Sequence, residues 1–447
     1  MQPIHFDIFE PMLSKFKKHL EEQFSKTLTR KILLAVSGGV DSVVLAHLCR
    51  QAGLDIALAH CNFNLRGEES EGDESFVLEL ADALETEIFI EGFETEAYAA
   101  GKKISIQMAA RELRYNWFRE LRETLQFDYI FTAHHANDNL ETVLINLIRG
   151  TGLEGLTGIP DVNDCVIRPL LPFSREEIEK YARGQELQWR EDSSNASTKY
   201  FRNKVRLEVI PTLLEMNPQL LESFAKTRSH LQQSSQLIED YVSVIFPKVA
   251  KQEEYGYSFK VKLLQALPST KAVMYELFKS FGFTEWEDVH GLLESQPGKI
   301  VYSKTHRLIR GREDLLLTVV SPLEDKIYTI KEDEEVVMLP MGTFQFEPAE
   351  ELEKSDASVI FLDRDKLQFP LTVRKWQQGD YFYPFGMKGK KKISKFFKDE
   401  KLSLPQKENC WLLCSGQEIV WVINYRADAR FAVEDSTQEI LRLSYTP

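Results

Sequence analysis

Cysteine is scarce and scattered in this chain: Cys49, Cys61, Cys165, Cys410 and Cys414 include no Cys-x-x-Cys pair. No zinc site, iron–sulfur site or disulfide framework is therefore visible, which fits a reducing compartment. Long apolar runs are missing too. Nothing is long enough to span a bilayer, and Met1-Gln2-Pro3-Ile4-His5-Phe6-Asp7 lacks a charged leader followed by an apolar core, so a cytoplasmic protein is expected. Positive charge is in deficit, with 55 Lys and Arg against 69 Asp and Glu and a formal net charge of −14. Affinity for phosphates comes from neutralising lysines and arginines, so only local basic clusters would bring nucleic acid to such a chain. There is no internal repeat and no low-complexity tract. With 43% hydrophobic and 11% aromatic residues, the 447-residue chain reads as globular and too long for one core.

What is present is most concentrated at Ser37-Gly38-Gly39-Val40-Asp41-Ser42. The aliphatic run Ile32-Leu33-Leu34-Ala35-Val36 before it reads as a buried parallel strand, and Val43, Val44, Ala46, His47 and Leu48 follow at helical spacing. A loop so placed points backbone N–H groups at an anion beside the positive end of a helix dipole. A Walker loop needs a lysine after its last glycine, and Val40-Asp41 stands there instead, which excludes the lysine-based site. A carboxylate beside phosphates repels them unless a cation lies between, so Asp41 implies Mg²⁺. The bland alternative is a serine-rich turn with a helix cap. Strand, SGGVDS and helix together resemble the PP-loop of the ATP pyrophosphatases. The resemblance implies ATP bound by Ser37, Gly38, Gly39, Val40, Asp41 and Ser42, and cleaved between its α- and β-phosphates.

Along the chain, an amphipathic helix is expected over 10–30, then alternating strands and helices: strands at 56–59, 88–90 and 129–133, helices at 74–84, 106–125 and 137–148, and another helix from Ser174. The expected fold class is α/β: a doubly wound parallel-sheet PP-loop domain followed by a helical domain and a C-terminal α+β domain. The stretch from Pro211 to Leu293 reads as helices, and alternation such as Leu315-Leu316-Leu317-Thr318-Val319 and Ile419-Val420-Trp421-Val422-Ile423 reads as strands. The boundaries expected are 1–212 for the PP-loop domain, 213–298 for a helical domain, 299–365 for a β-rich connection and 366–447 for a C-terminal domain.

His134-His135-Ala136-Asn137-Asp138-Asn139-Leu140-Glu141-Thr142 sits where a strand ends and a helix begins, at the same sheet edge as the loop. Asp138 and Glu141 share a helix face. A carboxylate pair beside a phosphate cradle suits Mg²⁺, which makes Asp41, Asp138 and Glu141 its candidate ligands. His135 is placed to touch a phosphate or carry a proton, and capping by Asn137 or Asp138 explains the same letters. Arg111 and Arg114 lie three apart on one helix, either as phosphate forks or as a solvated face paired with Glu112, Glu120 and Glu123. Arg190-Glu191-Asp192-Ser193-Ser194-Asn195 and Arg202-Asn203-Lys204-Val205-Arg206 form a polar, basic segment that reads equally as a nucleotide loop or a linker. Near the end, Gly386-Met387-Lys388-Gly389-Lys390-Lys391-Lys392-Ile393-Ser394-Lys395-Phe396-Phe397-Lys398 holds no acid, against the net charge of the chain. Such segregation is expected of a phosphate-backbone contact, and equally of a solvated loop. Trp376, Tyr381, Tyr383, Phe385 and Phe396 around it read as core rather than stacking residues.

SGGVDS at 37–42, AARELRY at 109–115, HHANDNLET at 134–142, RGTGLEGLTGI at 149–159, RPLL at 168–171, EDSSN at 191–195 and RNKVR at 202–206 occur in the order seen in the tRNA(Ile)-lysidine synthetases. The chain resembles that family over nearly its full length. Arg374-Lys375-Trp376-Gln377-Gln378-Gly379-Asp380 and the lysine run resemble the family's C-terminal tRNA-binding domain, although Pro405-Gln406-Lys407 lacks an expected arginine. The resemblance implies ligation of L-lysine to the wobble cytidine of a CAU-anticodon isoleucine tRNA, with ATP cleaved to AMP and pyrophosphate. Implied roles are catalysis by Asp41, His135 and Asp138, and tRNA contact by Arg111, Arg114, Arg202, Asn203, Arg206, Lys388, Lys390, Lys391 and Lys392. Asp138 and His135 both remain candidates for the base that frees the lysine amine. A PP-loop thiolase commonly carries paired cysteines, an amidotransferase needs a glutaminase domain starting with a nucleophilic Cys, and a non-catalytic ATP sensor leaves Asp138, Glu141 and the basic loop without purpose.

Overall fold

The computed structural model describes residues 10–65, 67–191, 201–320 and 326–447. The residues read above at 1–7 and 192–195 lie outside them. The chain divides into two compact units, Met1–Glu239 and Asp240–Pro447.

The first unit is built on β1 (Lys31–Ala35), α2 (Val40–Gln51), β2 (Asp55–Asn62), α3 (Glu68–Ala83), β3 (Ile88–Gly92), α4 (Thr95–Lys102), α5 (Ile106–Leu125), β4 (Tyr129–Phe131), α6 (Ala136–Arg149), α7 (Leu153–Leu156), β5 (Val162–Asn163), β6 (Val166–Ile167) and α8 (Arg175–Gly184), with α1 (Glu10–Gln23) in front. Its sheet runs β3-β2-β1-β4-β6-β5 and is parallel except for the last pair. Side chains alternate across a strand, and both faces are filled. Ile32, Leu34, Ile56 and Leu58 pack with Phe16, Leu20, Val44, Leu48 and Ile178 on one side. Leu33, Ala57, Ala59 and Ile130 pack with Trp117 and Phe118 on the other. Strand order reverses beside β1, whose neighbours are β2 and β4, and the carboxyl ends of β1 and β4 meet there. In open α/β sheets that is where a ligand crevice forms.

The helical expectation for Pro211 to Leu293 holds only in part. A π-helical turn (Val205–Val209) joins α9 (Phe201–Lys204) to α10 (Ile210–Met216), and the long α11 (Leu220–Val249) follows. A hairpin then interrupts the helices, with β7 (Ala250–Glu253) paired to β8 (Gly256–Lys260). In β8 Ser258 and Phe259 are buried and Lys260 is exposed. Gly256 adopts φ +133, and a Cβ there would meet the Leu317 carbonyl at 2.1 Å, so only glycine allows the approach. β8 joins a five-stranded antiparallel sheet with β9 (Ile300–Tyr302), β10 (His306–Arg310) and β11 (Asp314–Val319), over a core that includes Phe259, Leu264, Met274, Phe278, Leu308 and Leu315. The rest of the second unit is a five-stranded and a four-stranded sheet around Ile330, Phe344, Leu371, Trp421 and Leu443. A helix at Ile393–Asp399 buries Ile393, Phe396 and Phe397 against Phe382 and Leu412.

Candidate active site at the carboxyl edge of the parallel sheet

β1 ends at Ala35, and α2 starts at Val40 with Gly39 at its N-cap. Gly38 turns the chain at φ +85, where a side chain is strained. The Ser42 and Val43 N–H groups bond the Gly39 carbonyl, and the Ser42 hydroxyl donates to it at 2.9 Å while accepting the Ser37 N–H at 3.2 Å. The loop is thus braced from within. The N–H groups of a helix's first turn have no partner within the helix, and such a start is where anions bind. Behind it, the buried His60 ring nitrogen lies 2.9 Å from the Val36 carbonyl. Two contacts that the sequence reading did not anticipate hold the loop from the side: the Arg190 N–H donates to the Gly38 carbonyl at 2.9 Å, and its Nε to Asp73 at 3.1 Å.

β4 delivers the second half of the site. His135 is the N-cap of α6, and its backbone N–H donates to Asp138 Oδ2 at 3.2 Å, so Asp138 does cap the helix. It also does more. His135 Nε2 lies 3.4 Å from Asp138 Oδ2 and 3.7 Å from Asp41 Oδ1, which brings the three expected catalytic residues together. Burial pushes the Asp138 carboxyl upward, but His135, His134 and Arg202 outweigh it and hold the group below the usual carboxylate range. For Asp41 burial wins over His135 and Arg175, and its pKa is raised. His134, buried beside Arg168, Arg202 and Arg111, is pushed down to about 4, chiefly by desolvation, and its Nδ1 lies 3.0 Å from the Thr132 hydroxyl.

The arginines of 202–206 lie against α6. Arg202 Nε donates to Glu141 Oε2 at 2.8 Å, Arg206 Nε to Glu141 Oε1 at 2.5 Å, and both reach Asp138 Oδ1, at 3.2 and 3.1 Å. Arg202 and Arg206 are thus paired with the carboxylates of α6, and Glu141, 1% exposed, accepts guanidinium donors on both oxygens. Both arginines lie four residues apart across the π-helical turn, a local widening that often marks functional sites. Asn203 is half-buried in α9. Asp41 does fit a cation: its Oδ1 is buried without a partner. Among the described residues no group of three or more His, Cys, Asp or Glu side chains forms a metal site alone, and Mg²⁺ ordinarily takes one or two carboxylates plus phosphate oxygens.

Arg111 lies over the Tyr115 ring at 4.8 Å and Arg114 over Phe63 at 5.2 Å. Glu112, expected to pair with them, instead accepts from Tyr98 and Lys102. Arg168, 4% exposed, donates Nη1 to the Pro160 carbonyl at 2.8 Å, and burial lowers its pKa. Arg175 at the start of α8 donates Nη1 to Asp41 Oδ2 at 2.6 Å. Nothing in the sequence signals that contact, since its partners are 134 residues apart. In the second unit Lys388, Lys390 and Lys392 are exposed. Lys391 is not: its side chain is 14% exposed and paired with Asp399 at 2.8 Å. Arg374 and Asp380 form a two-pronged pair at 2.8 and 2.9 Å. Of the surrounding aromatics Phe396 is core, while Tyr381 and Phe385 are exposed.

A parallel sheet with a lysine-free glycine loop at its switch point, facing a histidine and two carboxylates, defines a PP-loop protein. Residues 12–213 match the family model described as PP-loop domain. Residues 252–323 match the TilS substrate binding domain and 371–445 the TilS substrate C-terminal domain. Three curated relatives carry the name tRNA(Ile)-lysidine synthase. The protein of Parabacteroides distasonis is 39% identical over 97% of this chain and 100% of its own length. That of Bacteroides thetaiotaomicron is 38% identical over 95% and 97%. That of Porphyromonas gingivalis strain W83 is 38% identical over 93% and 94%. The chain belongs to the tRNA(Ile)-lysidine synthase family.

Proposed function

We propose that this chain joins L-lysine to C2 of the wobble cytidine in a CAU-anticodon isoleucine tRNA, cleaving ATP to AMP and pyrophosphate. The observation that carries the reading is the convergence of Asp41, His135 and Asp138 on the phosphate-binding loop at the sheet's switch point. The backbone of 37–42 cradles the β- and γ-phosphates of ATP. The cytidine C2 carbonyl oxygen attacks the α-phosphate, the bond to the β-phosphate breaks, and pyrophosphate leaves along the loop. Asp41 and Asp138 would hold Mg²⁺, which when bound neutralises charge on the phosphates. The adenylated base has an activated C2, which the side-chain amine of lysine attacks as AMP departs.

That amine is protonated in water, with a reference pKa near 10.4, so a base must take its proton. Asp138, held below the usual carboxylate range, is a weak base. His135 is the better one: its Nε2 faces Asp138 and Asp41, and its Nδ1 is buried without a partner. Arg111 and Arg114 beside the site, with Lys388, Lys390 and Lys392 in the C-terminal domain, contact tRNA phosphates. The domain division we favour keeps catalysis in 1–212 and tRNA contact in 213–298 and 366–447, with 299–365 between. A thiolase reading has little support, since four of the five cysteines are buried and burial pushes the half-exposed Cys61 up to about 12.

The test is an omission series with ATP, lysine and CAU-anticodon isoleucine tRNA. Lysine incorporation into tRNA with release of AMP is expected only when all three are present, whereas ATP and tRNA alone suffice for release of pyrophosphate as the adenylated tRNA forms. Incorporation of sulfur, or AMP release indifferent to lysine, contradicts the reading.

A further inference from the structure

The loop poses an electrostatic question. Asp41 puts a carboxylate into a cradle built for anions, where a Walker loop would place a lysine. Arg175 answers it from a different element. Its Nη1 donates to Asp41 Oδ2 at 2.6 Å, its Nε to Glu179 Oε1 at 2.8 Å, and its Nη2 has no partner among the described residues. A guanidinium is planar, with donors on three nitrogens, so the two bonds fix its plane and leave one edge open.

The arm that carries it is rigid. Ser174 caps α8, accepting the Glu177 N–H at 3.2 Å while Glu177 Oε2 accepts the Ser174 N–H at 2.9 Å. The Arg175 N–H donates to Asn137 Oδ1 at 2.9 Å, which ties the start of α8 to the start of α6. Farther along α8, Ile178, Tyr181 and Ala182 are buried in the sheet core, and the Tyr181 hydroxyl lies 3.1 Å from His47 Nδ1 on α2. The Arg175 side chain is nevertheless 41% exposed. The cations on the other flank differ: Arg202 and Arg206 are held by Glu141 and Asp138.

We propose that Arg175 is the cation of the phosphate cradle: it binds Asp41 in the free protein and grips the β- and γ-phosphates of ATP, then the departing pyrophosphate, through its open edge. This rests on the reading of 37–42 as the pyrophosphate site. As the cytidine oxygen bonds the α-phosphorus, the electron pair of the broken bond stays on pyrophosphate, and a fixed guanidinium meets that charge without reorganising.

Calorimetric binding of pyrophosphate alone and AMP alone to the full chain tests this, with thermal melting to verify folding. Charge-assisted hydrogen bonds of this kind predict that Arg175→Ala weakens pyrophosphate binding by about tenfold to a hundredfold, leaves AMP within about twofold, and is partly rescued by Arg175→Lys. Because Arg175→Ala strands Asp41, the comparison is repeated in Asp41→Asn. There pyrophosphate is expected to bind at least as tightly as to wild type, and adding Arg175→Ala must still weaken it. Unchanged pyrophosphate affinity in both backgrounds, or equal loss of AMP, overturns the assignment to the phosphates. A wild-type chain that binds no pyrophosphate overturns the cradle itself.

Discussion

The edge of the parallel sheet and the lysine-rich loop of the second unit both gather cations in an acidic chain, yet they use them oppositely. At the sheet edge Arg202, Arg206 and Arg175 are tied to Glu141, Asp138 and Asp41. In the loop Lys388, Lys390 and Lys392 are exposed, Lys390 over the Tyr381 ring at 5.1 Å, while Lys391 is ion-paired with Asp399. Paired charges hold carboxylates in fixed positions and protonation states, as chemistry requires. Unpaired surface lysines release counterions when they meet a phosphate backbone, which supplies affinity without fixing geometry. Under the proposed function one region serves position and the other attraction.

The largest break in that contrast is Glu141→Ala, which leaves Arg202 and Arg206 with Asp138 as their remaining carboxylate partner. Removing one member of a buried ion pair typically costs 3–5 kcal/mol, and since both arginines are a third or more exposed the expected loss is about 3 kcal/mol. Urea unfolding of the full chain measures it. A loss below about 1 kcal/mol would mean that the network is a solvated surface pair like the others.

His134 sharpens the same point through pH. Unfolded, its imidazole takes a proton near pH 6.5; folded, burial and the surrounding arginines hold it to about 4. Between those values the unfolded chain binds more protons, so stability rises with pH through this window and is lost on acidification, by about 3 kcal/mol in all. His134→Gln should flatten that part of the profile. An unaltered slope between pH 4 and 6.5 would show the imidazole to be solvated.

For catalysis, Asp138→Ala and His135→Ala should each lower the overall rate about a hundredfold or more. With His135 as base for the amine, His135→Ala accumulates adenylated tRNA in quenched single turnovers. An unchanged rate in both variants would reduce this segment to a helix cap.

How far the sequence carried this contrast depends on distance along the chain. The strand, loop and helix at 31–51 and the helix at 106–125 were legible because their signals are local and periodic. So was the placement of His135 and Asp138 beside the loop, because the carboxyl ends of parallel strands share one edge. The partners of Arg202 and Arg206 were not, lying 61 and 65 residues back at Glu141, and neither was Arg175, 134 residues from Asp41. No short-range pattern encodes those pairs. The hairpin at 250–260 was missed because two short strands inside a helical stretch carry little periodicity. In the lysine run, the missing acid was visible, but Asp399 pairs back to Lys391 from the end of the following helix.

The measurement that tests the division most directly is the salt dependence of tRNA binding. Lys388, Lys390 and Lys392 replaced together by Ala should flatten the slope of log K against log[salt] by about 0.7 to 0.9 per lost contact, about two to three in total, with ATP affinity unaltered. Lys391→Ala, whose charge Asp399 already holds, should leave that slope in place. A slope that ignores the triple substitution, or that Lys391→Ala alters as much as any free lysine does, would contradict the separation of fixed from free charge.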